Sequence, residues 1–180
     1  MKNRVASIAV LLIGLAAFAT LGLAQQDKSK RPSPPASAHC MFSDGKTLTV
    51  DYSSPRKKGR EIYGGLVPYG KVWRTGANEA TTFVTTANLT VGDKEVPAGS
   101  YTIFSIPEQG KWTLIISKKT GEFGIPYPGE QYDFARAPME LSKLKAPVED
   151  FTISFVHSLH GCSMNLDWAE TRATIFIHEK

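Results

Sequence analysis

The residues best suited to chemistry lie in one short run, Tyr69 to Ala80, which has the period of neither a strand nor a helix. Arg74 can hold a carboxylate, a phosphate or sugar hydroxyls with a rigid fork of N–H donors, and Trp73 can stack on an apolar or sugar face. Asn78 and Glu79 could complete a polar pocket. The run indicates a non-catalytic binding site for a small polar or carbohydrate-like ligand, with these candidate residues: Arg60, Tyr69, Lys71, Trp73, Arg74, Thr75, Asn78 and Glu79.

The same run has other interpretations, which the sequence leaves open. Arg74 and Glu79 could form a partly buried ion pair that pins the loop, with Trp73 filling the core. A hydrolase would use Glu79 as acid or base and Arg74 as an electrostatic stabiliser. A structural or interaction module of the cell envelope would need neither. The sequence contains no G-x-S-x-G element, and no recognised catalytic constellation accompanies the run.

Soft metal ligands occur twice, in His39-Cys40-Met41 and in the run from His157 to Met164. They would suit copper. In a strand, however, His39 and Cys40 point to opposite faces, and a disulfide would consume both thiols. We therefore predict no metal and no cofactor, and one disulfide between Cys40 and Cys162 if the chain is exported.

The first residues predict export. Lys2 and Arg4 precede an apolar stretch from Val5 to Thr20, and small residues follow, which is the pattern of a signal peptide over residues 1–24 with cleavage near Ala24. Retention as a membrane anchor is the alternative. No later apolar run is as long, so no further membrane span is predicted. The later basic groups are short, which argues against nucleic acid as a partner and favours a periplasmic or secreted protein.

The elements that must position the candidate residues are strands. Apolar residues alternate with polar ones along much of the chain, for example at Leu48, Val50 and Tyr52, and turn signals separate these runs. This favours an all-β fold, an antiparallel β-sandwich of jelly-roll-like type, as one domain over residues 39–180. Residues 25–38 are rich in Pro and Ser and are predicted to form a flexible lead-in.

Two connections are too long to be simple turns, the segments 53–78 and 121–133. Their aromatic content argues against disorder. We expect both to be ordered and to pack over one end or face of the sandwich, where loops usually carry sites.

Three segments resemble a known family. YGGLVPYGKVWRTGANEAT (residues 63–81), DYSSPRKKGR (51–60) and VPAGSYTIFSIP (96–107) are similar to the bacterial envelope family called domain of unknown function 2911. The resemblance extends over nearly all of the chain after the signal peptide and implies an exported β-sandwich. It implies no activity. The cluster of His, Cys and Met near residue 160 does not belong to the family's signature.

Overall fold

Alternating apolar and polar residues form nine antiparallel strands in this computed structural model, which describes residues 27–180. The predicted signal peptide lies outside the described residues. Two single-turn 3₁₀ helices complete the secondary structure of that part, at Lys28–Lys30 and Glu130–Tyr132, and neither is long enough to cross a membrane. The strands are β1 (Pro35–Met41), β2 (Thr47–Ser53), β3 (Thr82–Thr85), β4 (Leu89–Val91), β5 (Lys94–Val96), β6 (Gly99–Glu108), β7 (Lys111–Ser117), β8 (Asp133–Ser158) and β9 (Gly161–Glu179).

All nine strands belong to one sheet, in the order β1-β2-β3-β6-β7-β8-β9-β4-β5. The long strand β8 connects its two halves, because residues 133–139 pair with β7 and residues 140–158 pair with β9. The β8–β9 register shifts between Lys143 and Thr152. The two halves pack against each other, and the sheet does not close, since β1 and β5 are its two edges.

Contacts between the halves show the sandwich directly. The backbone N–H of Ile153 in β8 donates a hydrogen bond to the hydroxyl of Tyr52 in β2, at 3.0 Å. A disulfide joins Cys40 in β1 to Cys162 in β9, with their Cα atoms 6.3 Å apart. One continuous core contains buried side chains from both halves, among them Trp168. The predicted β-sandwich and the predicted disulfide are both confirmed.

Strand β6 is buried on both of its faces, and this creates a second, smaller apolar cluster. Ile103 points into the main core, as does Tyr101. The next residue, Phe104, points to the opposite face of the sheet and packs there with Ile115 and Ala80. Full burial of a side chain such as Phe104 contributes about 1.5–3 kcal/mol to stability. This small cluster lies where the long connections cover the sheet.

The two long connections, residues 54–81 and 118–132, are ordered and contact each other. Trp73 extends the sheet beside β6, because its N–H and C=O each form a 2.8 Å hydrogen bond with the backbone of Ser105. The N–H of Ala80 in the first loop donates to the carbonyl of Glu122 in the second, at 3.1 Å. We call this part of the molecule the loop end.

The first strand begins earlier than the sequence suggested. Pro35 to Ala38 lie within the predicted flexible lead-in, but they pair with Val50 to Ser53 of β2. The apolar–polar alternation of these Pro, Ala and Ser residues is weak, so the local pattern does not indicate a strand. Their small side chains fit a strand at the edge of the sheet. At the other terminus, β9 runs without a break from Gly161 to Glu179, with Ala169 at a φ of 51°.

Candidate functional site

Arg74 lies where the two long loops meet. The centre of its guanidinium group is 4.9 Å from the centroid of the Phe123 ring, a cation–π arrangement. Gly124, with a φ of +79°, lies so close that an added Cβ would be 3.1 Å from the Cβ of Arg74 and 2.9 Å from that of Ala80. Only glycine combines this backbone conformation with this close approach. The second loop can therefore cover Arg74 only with glycine at position 124.

The guanidinium group of Arg74 has no polar partner among residues 27–180. Its Nε and Nη1 atoms are buried and make no hydrogen bond, and no carboxylate forms an ion pair with it in that part of the chain. Burial lowers the pKa of Arg74, because removal from water disfavours the charged form. Arg74 as a whole is only partly buried. A guanidinium group is a planar fork of donors, the geometry that binds a carboxylate or a phosphate.

Glu79 is bound by two other cations. The Nη1 of Arg31 donates to both of its carboxylate oxygens, at 2.9 and 2.8 Å, and the Nζ of Lys28 lies 3.1 Å away. These contacts, with the Arg31 hydrogen bonds as the largest cause, lower the pKa of Glu79 to about 2. The Arg74–Glu79 ion pair considered from the sequence is therefore not formed. Glu79 anchors the segment before β1, which a sequence pattern cannot reveal because 48 residues separate it from Arg31.

Asn78 and Thr75 hold the first loop in shape. Both have a positive φ, 56° and 53°, which is uncommon for residues other than glycine. The Asn78 side chain donates to the carbonyl of Ser33 at 2.9 Å. The hydroxyl of Thr75 is buried and lies 3.0 Å from that of Ser105, while the hydroxyl of Thr81 donates to the Thr75 carbonyl at 2.8 Å. The side chains of Asn78 and Thr75 therefore form hydrogen bonds within the protein.

Trp73 is partly buried and packs against the core, which is close to the structural interpretation of the run. Its ring is stacked on that of Trp168, with centroids 5.9 Å apart and an interplanar angle of 20°, and it meets Phe151 edge-on at 4.9 Å. Its indole N–H donates to the carbonyl of Gly76 at 3.0 Å. Both the face and the edge of the ring are therefore engaged within the protein.

The remaining predicted residues lie at the surface. The Arg60 guanidinium donates to the backbone carbonyls of Lys57, at 3.0 Å, and of Arg56. Tyr69 is 41% exposed and packs against the backbone of Gly64. Lys71 is exposed and has no polar contact among the residues that the structure describes. The structure thus does not bring the predicted residues together in one pocket.

Part of the candidate site comes from the second loop, which the sequence indicated only as an aromatic connection. Phe123 and Gly124 surround Arg74, and Tyr127 packs edge-on against Phe104 with ring centroids 5.1 Å apart. Burial and a hydrogen bond to Asp133 raise the pKa of Tyr127 to about 12, so its hydroxyl stays protonated at neutral pH. In the sequence, this contribution to the site was indicated only by the length and the aromatic content of residues 121–133.

The opposite end of the sandwich contains an open cleft of about 850 Å³. It lies beside the Cys40–Cys162 disulfide, and we call this region the hairpin end. The Nδ1 of His157 lies 3.5 Å from the Sγ of Cys162. The lining segments are residues 41–43, the β8–β9 turn at 157–161, and residues 178–180.

The protein is an antiparallel β-sandwich with two ordered loops that meet over one partly buried arginine. The chain belongs to the family described as Protein of unknown function (DUF2911), whose model matches residues 33–177. The match extends from the residues before β1 into the last strand, and it confirms the resemblance of the three segments. No curated protein and no solved structure matches the chain.

Proposed function

We propose that this protein is an extracytoplasmic, non-catalytic binding module for a small polar ligand with an anionic group, a carboxylate or a phosphate, which Arg74 would hold. A carbohydrate acid or a sugar phosphate fits this description. The observation that carries the proposal is the pair of buried guanidinium nitrogens of Arg74, Nε and Nη1, which have no acceptor within the described chain.

Energetics support a ligand at Arg74. A buried donor without an acceptor costs about 1–3 kcal/mol, and a charged group costs more. An arginine with a purely structural role is expected to have its donors satisfied, as Arg172 does. Its Nε and Nη2 donate to the two carboxylate oxygens of Asp167 at 2.7 and 2.6 Å. Among the described residues Arg74 has no such partner. An anion bound to its guanidinium group would supply one, and the pairing is stronger in a partly buried site than in water.

The surroundings of Arg74 suit a ligand with an apolar or ring-shaped part. Phe123 is 57% exposed and Ile125 is 65% exposed, so the second loop presents apolar surface beside the charged group. Sugars and small organic acids combine an apolar face with polar edges, and an aromatic ring next to a fork of donors recognises both. Phe123 would contact the ring of the ligand while Arg74 binds its anionic group.

The hydrolase alternative receives less support from the geometry. It requires Glu79 and Arg74 to act on one substrate, but Glu79 is bound by Arg31 and Lys28. A carboxyl group with a pKa of about 2 is ionised at neutral pH and is a weak proton acceptor.

The disulfide supports the extracytoplasmic location, because such bonds persist in oxidising compartments.

The test compares two arginine variants, Arg74→Met and Arg172→Met, by thermal unfolding with and without phosphate, citrate, glucuronate and glucose 6-phosphate. We expect at least one of these anions to stabilise the wild-type protein and Arg172→Met, but not Arg74→Met. A ligand at 100 times its dissociation constant stabilises by about 2.7 kcal/mol.

The same variants also separate binding from scaffold roles without any ligand. Arg172→Met should destabilise the protein, because Asp167 is left buried without its partner. Arg74→Met should leave stability unchanged or increase it, because it replaces an unpaired buried charge by an apolar side chain. A destabilised Arg74→Met together with no anion effect on the wild type would contradict the proposal and make Arg74 a scaffold residue.

A further inference from the structure

The hairpin end places three metal-binding side chains together. The ligating atoms of Cys40, Cys162 and His157 all lie within 4.8 Å of one another, and the His157 Nδ1 is 3.5 Å from the Cys162 sulfur. The residues come from three strands, β1, β8 and β9, so only the folded sandwich assembles them. In the oxidised protein both sulfurs are bonded to each other and are weak ligands.

We infer that reduction of the Cys40–Cys162 disulfide converts this cluster into a binding site for a soft or borderline cation, Zn²⁺ or Cu⁺. A dithiol reductant would transfer two electrons and two protons to the disulfide and would itself become a cyclic disulfide. The products in the protein are two thiols. The cation then displaces the two thiol protons and is held by two thiolates and the neutral imidazole of His157.

The dimensions and the donors fit such a cation. A tetrahedral zinc ion with Zn–S bonds of about 2.3 Å separates two thiolates by roughly 3.8 Å. The Cα atoms of the two cysteines are 6.3 Å apart, so side-chain rotation alone can open the sulfurs to that distance. Two thiolates and one imidazole are a donor set that selects zinc or Cu⁺ over hard cations such as Mg²⁺.

Access and burial also favour the site. Both cysteines are almost fully buried, at 0% and 1% exposure, which would shield the metal–sulfur bonds from water. His157 is exposed and lines the cleft of about 850 Å³, whereas neither cysteine lines it, so a cation would meet the imidazole before the sulfurs behind it. Three protein ligands would leave the fourth position of a tetrahedral ion to a water or a further ligand, as in many zinc sites.

The test uses Co²⁺ as a spectroscopic substitute for Zn²⁺, with the purified protein reduced by dithiothreitol and then freed of reductant without oxygen. We expect the reduced protein to bind one equivalent of Co²⁺ with a thiolate-to-cobalt charge-transfer band, and Zn²⁺ to displace it. The oxidised protein should show no such band. His157→Ala should weaken binding at least 10-fold, while His160→Ala, a change in the same turn but outside the cluster, should alter it less than twofold.

Unfolding of the reduced protein is monitored in the same samples by circular dichroism. If reduction unfolds the sandwich, Zn²⁺ should restore the sheet signal in the wild type and fail to do so in His157→Ala, because metal binding then drives folding. Three results would each overturn the inference: no charge-transfer band, no effect of Zn²⁺ on an unfolded reduced chain, or equal behaviour of His157→Ala and His160→Ala.

Discussion

At the loop end of the sandwich the charged group of Arg74 has no polar partner among residues 27–180, whereas at the hairpin end a covalent bond joins the first strand to the last. The buried Arg74 nitrogens make no hydrogen bond within the described chain, and the loops around them depend on glycines and on residues with positive φ. Cys40 and Cys162 instead link positions 122 residues apart. The disulfide thus cross-links one end of the sandwich, and the ligand site that we propose lies at the other.

Removal of the disulfide should have the largest effect on stability. The double variant Cys40→Ser/Cys162→Ser loses a cross-link over 122 residues, which the chain-entropy model values at about 4–5 kcal/mol. For a domain of this size we expect the melting temperature to fall by roughly 10–20 °C in calorimetry. Anion binding at Arg74 should persist at temperatures where the variant is folded. Loss of that binding from the folded variant would show that the two ends are coupled.

Substitution of Gly124 by alanine should have an intermediate effect and act at the loop end. The added Cβ would meet Ala80, Arg74 and Phe104 at 2.9–3.3 Å, on a backbone with φ of +79°. We expect a loss of about 1–3 kcal/mol, as for other overpacked sites, and weaker anion binding because the second loop is displaced from Arg74.

Gly121→Ala is the matched control for this prediction. Gly121 lies in the same loop with a φ of +73°, but nothing lies within 4 Å of its added Cβ. It should show only the cost of the left-handed backbone, about 1 kcal/mol, and normal binding. Denaturant titration measures the stability and thermal shift measures the binding. Equal effects of the two variants would exclude close packing around Arg74 as the cause.

The smallest effect is expected from Glu79→Gln, and it should depend on pH. The pKa of Glu79 is lowered from an ordinary value of 4.5 to about 2, so its ion pairs stabilise the protein fully above pH 4.5 and are lost as pH falls through 2. Because Glu79 is about half exposed, the contribution at neutral pH should be at most about 1 kcal/mol. Thermal melts at several pH values should show the two proteins differing at pH 6 and converging near pH 2.

A double-mutant cycle that combines Glu79→Gln with Arg31→Met tests the role of Glu79 directly. If Glu79 acts only as an anchor for the segment before β1, its coupling to Arg31 should account for most of its effect, and anion binding should be unchanged. Altered anion binding in Glu79→Gln would instead place this carboxylate within the ligand site.

Much of the fold could be predicted from local patterns. The period-two alternation at Leu48, Val50 and Tyr52 matches their burial in β2. The even number of cysteines predicted the bond that the structure contains. The strand at Pro35 to Ala38 was not predicted, because small side chains give only a weak local pattern. Hydrogen-bonded pairing with β2 forms the strand there.

The candidate site was less predictable. The sequence predicts one binding site in the run from Tyr69 to Ala80, but the side chains of the run have different roles in the structure. Trp73 packs against the core and Glu79 binds Arg31, while Arg74 has no polar partner among the described residues. Residue type alone suggested a common pocket, because it does not specify the direction of each side chain along an irregular backbone.

Alternation, cysteine count and a long motif are local or additive properties, so they were sufficient to predict the fold class, the disulfide and the family. Only the folded chain specifies which charges meet. Arg31 reaches Glu79 from 48 residues away, and residues 118–132 cover Arg74 from a separate connection. An ion pair depends on distances of a few ångströms between groups remote in the chain, and only the folded sandwich defines those distances.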